Sequence, residues 1–413
     1  MKQIKQTTKA TKTREHRTRY LIVSTISMLF AGIIYAWSIL KSPLGEEFGW
    51  TPSMLALNFT ITISFFCIGG LISGLALRRI SLNYVLIAAA VLVSLGFILS
   101  SVISGQIILL YLFYGILAGT GIGIAYNALL SATNSWFPDK KGLSSGVQMM
   151  AFGASSLVLG NIAGALIELP SFGWRNTFIV LGVSTGIVLL AASFIIKFPD
   201  KDTVLPAPKS GGKGGSEDSE TENYTTVEMI KRPSFWKFFL FSITMAAIGN
   251  TVISLARDLA LSVGAGAALA TTLVGVLSIF NGLGRLIAGG LFDSIGRRGT
   301  MVVGNLVTIV APILVLISIL TSSLVVCIIG LCLTGISYGF CPPISSAFVM
   351  SFYGTKSFPM NFSVANTMLI PTSFVATFAG SMITATGSFT STFIMLIGLA
   401  VCSLLLNISI KRP

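Results

Sequence analysis

Arg285 carries the clearest chemical potential in this 413-residue sequence. It stands in the run AGAALATTLVGVLSIFNGLGRLIAGGL, residues 265–291, which is otherwise uncharged and long enough to cross a bilayer. A guanidinium keeps its proton, and holding it near a bilayer centre costs about 2.5–3.5 kcal/mol. That cost is tolerated where the side chain faces a wet cavity and meets an anion, which points to anion recognition. An acidic side chain on a neighbouring helix would satisfy it equally well. Asp258, which ends the seventh apolar run beside Arg257, is the second candidate. An acid within reach of Arg285 could take up a proton in step with loading, whereas a rim aspartate balanced by Arg257 would carry none. The remaining reactive residue types form no constellation. His16, the single histidine, lies in a basic tail, and Cys67, Cys327, Cys332, Cys341 and Cys402 are scattered without paired spacing. With no HExxH and no Ser-His-Asp set, neither a catalytic site, a metal nor a cofactor is expected.

These residues sit in a chain built for a membrane. Of its residues 53% are hydrophobic and 10% charged, against about 25% charged in an ordinary soluble domain. Apolar runs of about 20 residues recur from 20–40 to 392–410 and predict twelve transmembrane helices, an all-α membrane fold. The first run follows the tail MKQIKQTTKATKTREHRTR; it is too long, and lacks the cleavage site, to read as a secretory leader, so it is expected to remain as an anchor.

The net charge of +13 resembles a nucleic-acid signal until the basic residues are placed. With the N-terminus inside, only Lys41, Arg175 and Arg257 fall on the far side and Arg285 within the membrane, while all the others are cytoplasmic. This positive-inside pattern predicts two cytoplasmic termini and basic contacts to lipid, not nucleic acid.

An internal repeat divides the chain. A shift of about 215 residues brings Gly115 onto Gly330, Phe137 onto Phe352 and Lys141 onto Lys356; one more residue brings Gly74 onto Gly290 and Gly69 onto Arg285. The expected units are a basic tail (1–19), a six-helix half (20–197), a polar cytoplasmic linker (198–233) and a second six-helix half (234–410). Two pseudo-symmetric six-helix bundles in this arrangement describe the major facilitator architecture, whose substrate lies between the halves near the midplane. Glycines at 115, 119 and 123, and at 160 and 164, predict faces where helices approach closely.

GGLFDSIGRRG, residues 289–299, resembles the loop signature of that superfamily, which implies a gating role for Asp293, Arg297 and Arg298. Its first-half copy, SGLALRRISLN, has Arg78 in place of the aspartate. FAGIIYAWSILKSPL (30–44), GTGIGIAYNALLSATNSWFPDKKGLSSG (119–146) and VEMIKRPSFW (227–236) are similar to the oxalate:formate antiporter family. Resemblance to that family implies a small-carboxylate carrier, with Tyr35, Tyr126 and Tyr338 as aromatic walls and Arg285 as the anion-binding arginine. Ordinary core or interface packing is the other role open to the tyrosines. The family's oxalate exchanger carries a second cation in the eleventh span, and Leu369 stands at that position here. Thr334 stands where it has tryptophan.

The expectation is therefore a monomeric secondary transporter of the plasma membrane, moving small monocarboxylates such as formate, acetate, lactate or pyruvate, with protons as a further partner if Asp258 is the coupling group. An aspartate close to Arg285 would resemble the pairing in monocarboxylate transporters. A dicarboxylate exchanger of the oxalate/formate type is the main alternative. A carrier-derived sensor would require a large extra domain, and a channel a ring of charges or carbonyls.

Overall fold

The structure, a computed structural model, describes residues 2–200, 203, 205, 206 and 222–411. Every regular element among them is helical. In hydrocarbon each backbone N–H and C=O must be satisfied within its own segment, and a helix does that. Exposed Ile108, Leu320, Phe374 and Leu405 give the helices the apolar faces that lipid requires.

The first half contains α1 (Lys2–Ala31), continued by a tight 3₁₀ turn, Gly32–Ala36, into α2 (Trp37–Phe48), then α3 (Pro52–Ala76), α4 (Leu82–Ser101) and α5 (Ile107–Leu110). A π-helical stretch, Tyr111–Ala118, leads from α5 into α6 (Gly119–Asn134); α7 (Lys141–Glu168) and α8 (Gly173–Ile195) follow. The second half contains α9 (Thr226–Lys231), α10 (Pro233–Ser262), α11 (Ala267–Thr321), α12 (Leu324–Tyr353), α13 (Phe358–Asn366), α14 (Leu369–Thr386) and α15 (Thr390–Ser409).

Among the described residues 11 helices are long and apolar enough to cross a membrane. One of them, α11, has 55 residues, about 80 Å of helix and more than twice a hydrocarbon core. Its φ of 74° and ψ of −177° at Gly296 break it into 267–295 and 297–321, which restores the twelve spans expected. The signature segment 289–299 is thus helix up to a one-residue break rather than an open loop. Only glycine adopts that backbone conformation without strain.

Other boundaries moved too. The helix of α1 runs back through the stretch expected as a tail, and Arg17 on it pairs with Asp139. The middle of the expected linker, 207–221, lies outside the described residues. Its end is structured: Thr225 and Glu228 form a reciprocal capping box that starts α9, and the Thr225 amide holds the Glu228 carboxyl below its ordinary value. Tyr224 N–H donates to Tyr353 O at 3.0 Å, tying this segment to the end of α12. The polar composition suggested a linker throughout; the cap and this backbone bond outweigh it over residues 222–231. The eleventh span is interrupted between Asn366 and Leu369.

The chain forms two compact units. One comprises Met1–Ser144, Ala151–Lys209 and Phe358–Val364. In it the predicted glycine face of α6 meets α3: a Cβ at Gly119 would stand 2.8 Å from Thr62 O, and one at Gly115 the same distance from the Ile61 side chain. Asn127 Nδ2 donates to Gly70 O at 3.1 Å and Pro359 O at 3.0 Å, pinning the start of α13 to this unit. The SWFPD tract is a junction here: Trp136 Nε1 donates to Lys197 O at 2.7 Å, and the Arg17 guanidinium lies 4.5 Å above the Phe137 ring.

The other unit comprises Ser145–Met150, Ser210–Ser357 and Ala365–Pro413. Its apolar core joins Ile248, Val252 and Leu259 of α10 to Leu273 and Leu277 of α11, Leu331 of α12 and Phe393 of α15. A buried amide pair, Asn407 Nδ2 to Asn305 Oδ1 at 2.8 Å, links α15 to α11.

Candidate anion site around Arg285

Arg285 is only 3% exposed. Its Nη1 donates to the carbonyl of Met149, and its Nε has no hydrogen-bond partner. The ion pairs Arg17 with Asp139 and Arg175 with Glu47 do not involve Arg285, and among the described residues no carboxylate pairs with it. The acid-partner arrangement left open by the sequence is not what forms. A buried cation keeps unused donor capacity, which is the electrostatic requirement for receiving an anion.

The position of Arg285 is set by close packing of α11 on α12. Cβ atoms at Gly335 and Gly339 would collide with backbone of α11: the former would stand 2.6 Å from Leu277 O, the latter 2.9 Å from Arg285 N and against Asn281 O. Small residues four apart let two helix backbones approach. This glycine pair, in LTGISYGF, has the same four-residue spacing as the pairs on α6 and α7. From the other side, Gly146 of α7 approaches so closely that a Cβ there would stand 2.7 Å from Arg285 O.

Tyr338 follows Ser337 on α12 and packs its ring over Gly249 of α10, where a Cβ would meet Tyr338 Cγ at 2.8 Å. Ser337 Oγ and Thr308 Oγ1 share a 2.5 Å hydrogen bond. Thr334 turns its hydroxyl back to Gly330 O at 2.8 Å. Leu369 is the first residue of α14, directly after the interruption, and is half-buried.

Tyr35 and Tyr126 belong to the other unit. Tyr35 lies in the 3₁₀ turn and meets Phe152 edge-on at 5.4 Å; Tyr126 meets the same ring at 4.9 Å and Phe66 at 5.2 Å. The two tyrosines therefore share one aromatic cluster centred on Phe152, a residue the sequence reading did not name.

Asp258 is exposed near the end of α10, on the face opposite buried Ala256, Leu259 and Ala260. It forms no ion pair with Arg257 or Arg285. Arg297, just past the break at Gly296, is buried to 9% exposure with its guanidinium 5.1 Å above the Phe352 ring. Asp293 is half-buried one turn before it, and Arg298 is exposed.

Asn281 is a second residue the sequence reading passed over. It precedes Arg285 by four positions, and its Oδ1 is buried without a hydrogen-bond partner. A polar side chain one helical turn before the buried cation was the available signal.

The model of the Major Facilitator Superfamily matches residues 21–369 and 238–413. An uncharacterized MFS-type transporter, YhjX of Escherichia coli (strain K12), is 28% identical over 351 residues, covering 84% of each chain. The oxalate:formate antiporter of Oxalobacter formigenes is 25% identical over 72% of this chain and 68% of its own. Among solved structures the proton:xylose symporter XylE aligns with a TM-score of 0.73 at 15% identity, covering 97% of both chains. That likeness speaks for the fold alone. With twelve spans, a buried unpaired arginine and a family match along nearly its whole length, the chain belongs to the major facilitator superfamily and is an integral membrane transporter rather than an enzyme.

Proposed function

We propose that the protein carries small carboxylate anions, monocarboxylates in preference to dicarboxylates, by alternating access. The observation that carries this reading is Arg285, buried, without an acidic partner, and with Nε unfilled. Its role is to receive the carboxylate, exposed to one side of the membrane at a time. The resemblance gives Tyr35, Tyr126 and Tyr338 the apolar contacts to the substrate. Asp293, Arg297 and Arg298 would set the cytoplasmic turn at Gly296, and the basic residues would keep both termini in the cytoplasm of a plasma-membrane protein acting as a monomer.

One fixed positive charge neutralises one carboxylate. With Leu369 in place of a second cation, oxalate would bring one charge into the site uncompensated. A counterflow panel of labelled mono- and dicarboxylates in proteoliposomes tests the reading: formate, acetate and lactate exchange, and oxalate competes poorly. Leu369→Lys raises oxalate competition by roughly tenfold, the worth of one added charge-assisted contact. Similarity to the oxalate:formate antiporter favours the alternative of a dicarboxylate exchanger, and tight oxalate binding by the unmodified protein would select it.

Coupling falls to Asp258 in this reading. An imposed inward proton gradient then drives accumulation, and Asp258→Asn removes that drive while sparing exchange, since a neutral amide imitates the protonated acid but releases no proton. Wild-type vesicles that exchange substrate yet show no gradient-driven accumulation would leave Asp258 a solvated rim residue.

A further inference from the structure

We propose that Asn281 is the specificity-determining partner of Arg285, its amide oxygen accepting a hydrogen bond from a hydroxyl on the carbon next to the substrate's carboxylate. The proposal rests on the reading of Arg285 as the carboxylate-binding group and narrows the cargo to short 2-hydroxy acids. Residues four apart share a helix face, with Cβ atoms about 5–6 Å apart, so the two side chains are neighbours on α11. Both carry an unfilled buried polar atom: Oδ1 of Asn281 is an acceptor without a donor, and Nε of Arg285 a donor without an acceptor. Their backbones are held in register by the helix itself, and Asn281 O and Arg285 N both lie on the side of α11 that faces Gly339 of α12.

A buried acceptor left unsatisfied is costly, and natural proteins keep few of them. Here the missing donor and the missing acceptor belong to residues one helical turn apart. A 2-hydroxycarboxylate supplies both groups from adjacent carbons, so a molecule of that size bridges the pair without either side chain leaving the helix face. The amide is also neutral. A carboxylate at position 281 would compete with the substrate for the guanidinium, whereas asparagine leaves that charge for the anion and adds a neutral contact. A site built to accept a hydroxyl proton discriminates against the analogue lacking it, because the acceptor is then buried unpaired.

The test uses purified full-length protein in proteoliposomes loaded with labelled lactate, with unlabelled lactate and propionate as competitors; these differ only by the 2-hydroxyl. In the wild type lactate competes about tenfold better than propionate, one hydrogen bond's worth of discrimination. In Asn281→Leu the ratio falls to near one. Asn281→Ala asks the same question with less bulk should leucine disturb packing against α12. Equal competition by the two acids in the wild type, or a ratio unchanged in both variants, overturns the proposal while leaving the role of Arg285 intact. If neither acid competes in the wild type, the carboxylate reading itself fails and takes the proposal with it.

Discussion

Arg285→Ala abolishes carboxylate binding, and Arg285→Lys weakens it by at least an order of magnitude. The alanine variant removes the buried charge that makes an anion welcome in a low-dielectric site, so the carboxylate would have to surrender its hydration without compensation. The lysine variant keeps the charge but loses the planar fork that meets both carboxylate oxygens, and its ammonium is more strongly hydrated. It also cannot hold the Met149 carbonyl and an anion in the fixed geometry of a guanidinium. Binding measured on purified protein, by competition or by substrate-induced rise in melting temperature, separates loss of affinity from loss of expression. Near-normal affinity in Arg285→Ala would falsify the assignment of the anion site.

Gly339→Val is the second large effect, and it acts through packing. The new side chain would begin within 2.9 Å of Arg285 N and against Asn281 O, both backbone atoms of α11 that have no rotamer to yield. The two helices must separate. Overpacking of ordinary cores costs about 1–3 kcal/mol, and a clash with backbone belongs at the upper end. The expected result is a fall of several degrees in the melting temperature in detergent together with loss of substrate binding. Gly275→Ala, on α11 with nothing within 4 Å of its Cβ, serves as the control and melts no lower than the wild type. Equal melting of the two variants would show that α11 and α12 are not in backbone contact at Gly339.

Much of the fold was legible because the membrane simplifies the code. Length and apolarity announce a span, and Arg285 stood out because a charge in such a run has so few explanations. Glycine spacing on α6 marked a close-approach face for the same reason, and α3 is the helix that meets it. What the sequence could not show was contact between distant helices. Nothing in residues 141–168 marks the Met149 carbonyl as the acceptor for Arg285, since every residue has a carbonyl. Phe152 looked like one apolar side chain among many, yet it joins Tyr35 to Tyr126. Asn281 is visible in the sequence, but an asparagine in a span becomes informative only once its oxygen is known to lack a donor. At Gly296 the signature suggested a loop; a single positive φ does the same work within one residue.

In the role proposed for Arg285, the Met149 carbonyl that accepts from its Nη1 is a competitor for the same guanidinium. Any carboxylate that takes Nη1 evicts that carbonyl, so the affinity measured from outside is an exchange constant, weaker than the contacts alone would give. The evicted oxygen belongs to the short stretch Ser145–Met150, which is part of the same compact unit as Arg285. In the proposed reading, cargo arrival is thereby registered by a main-chain atom, separately from the proton assigned to Asp258.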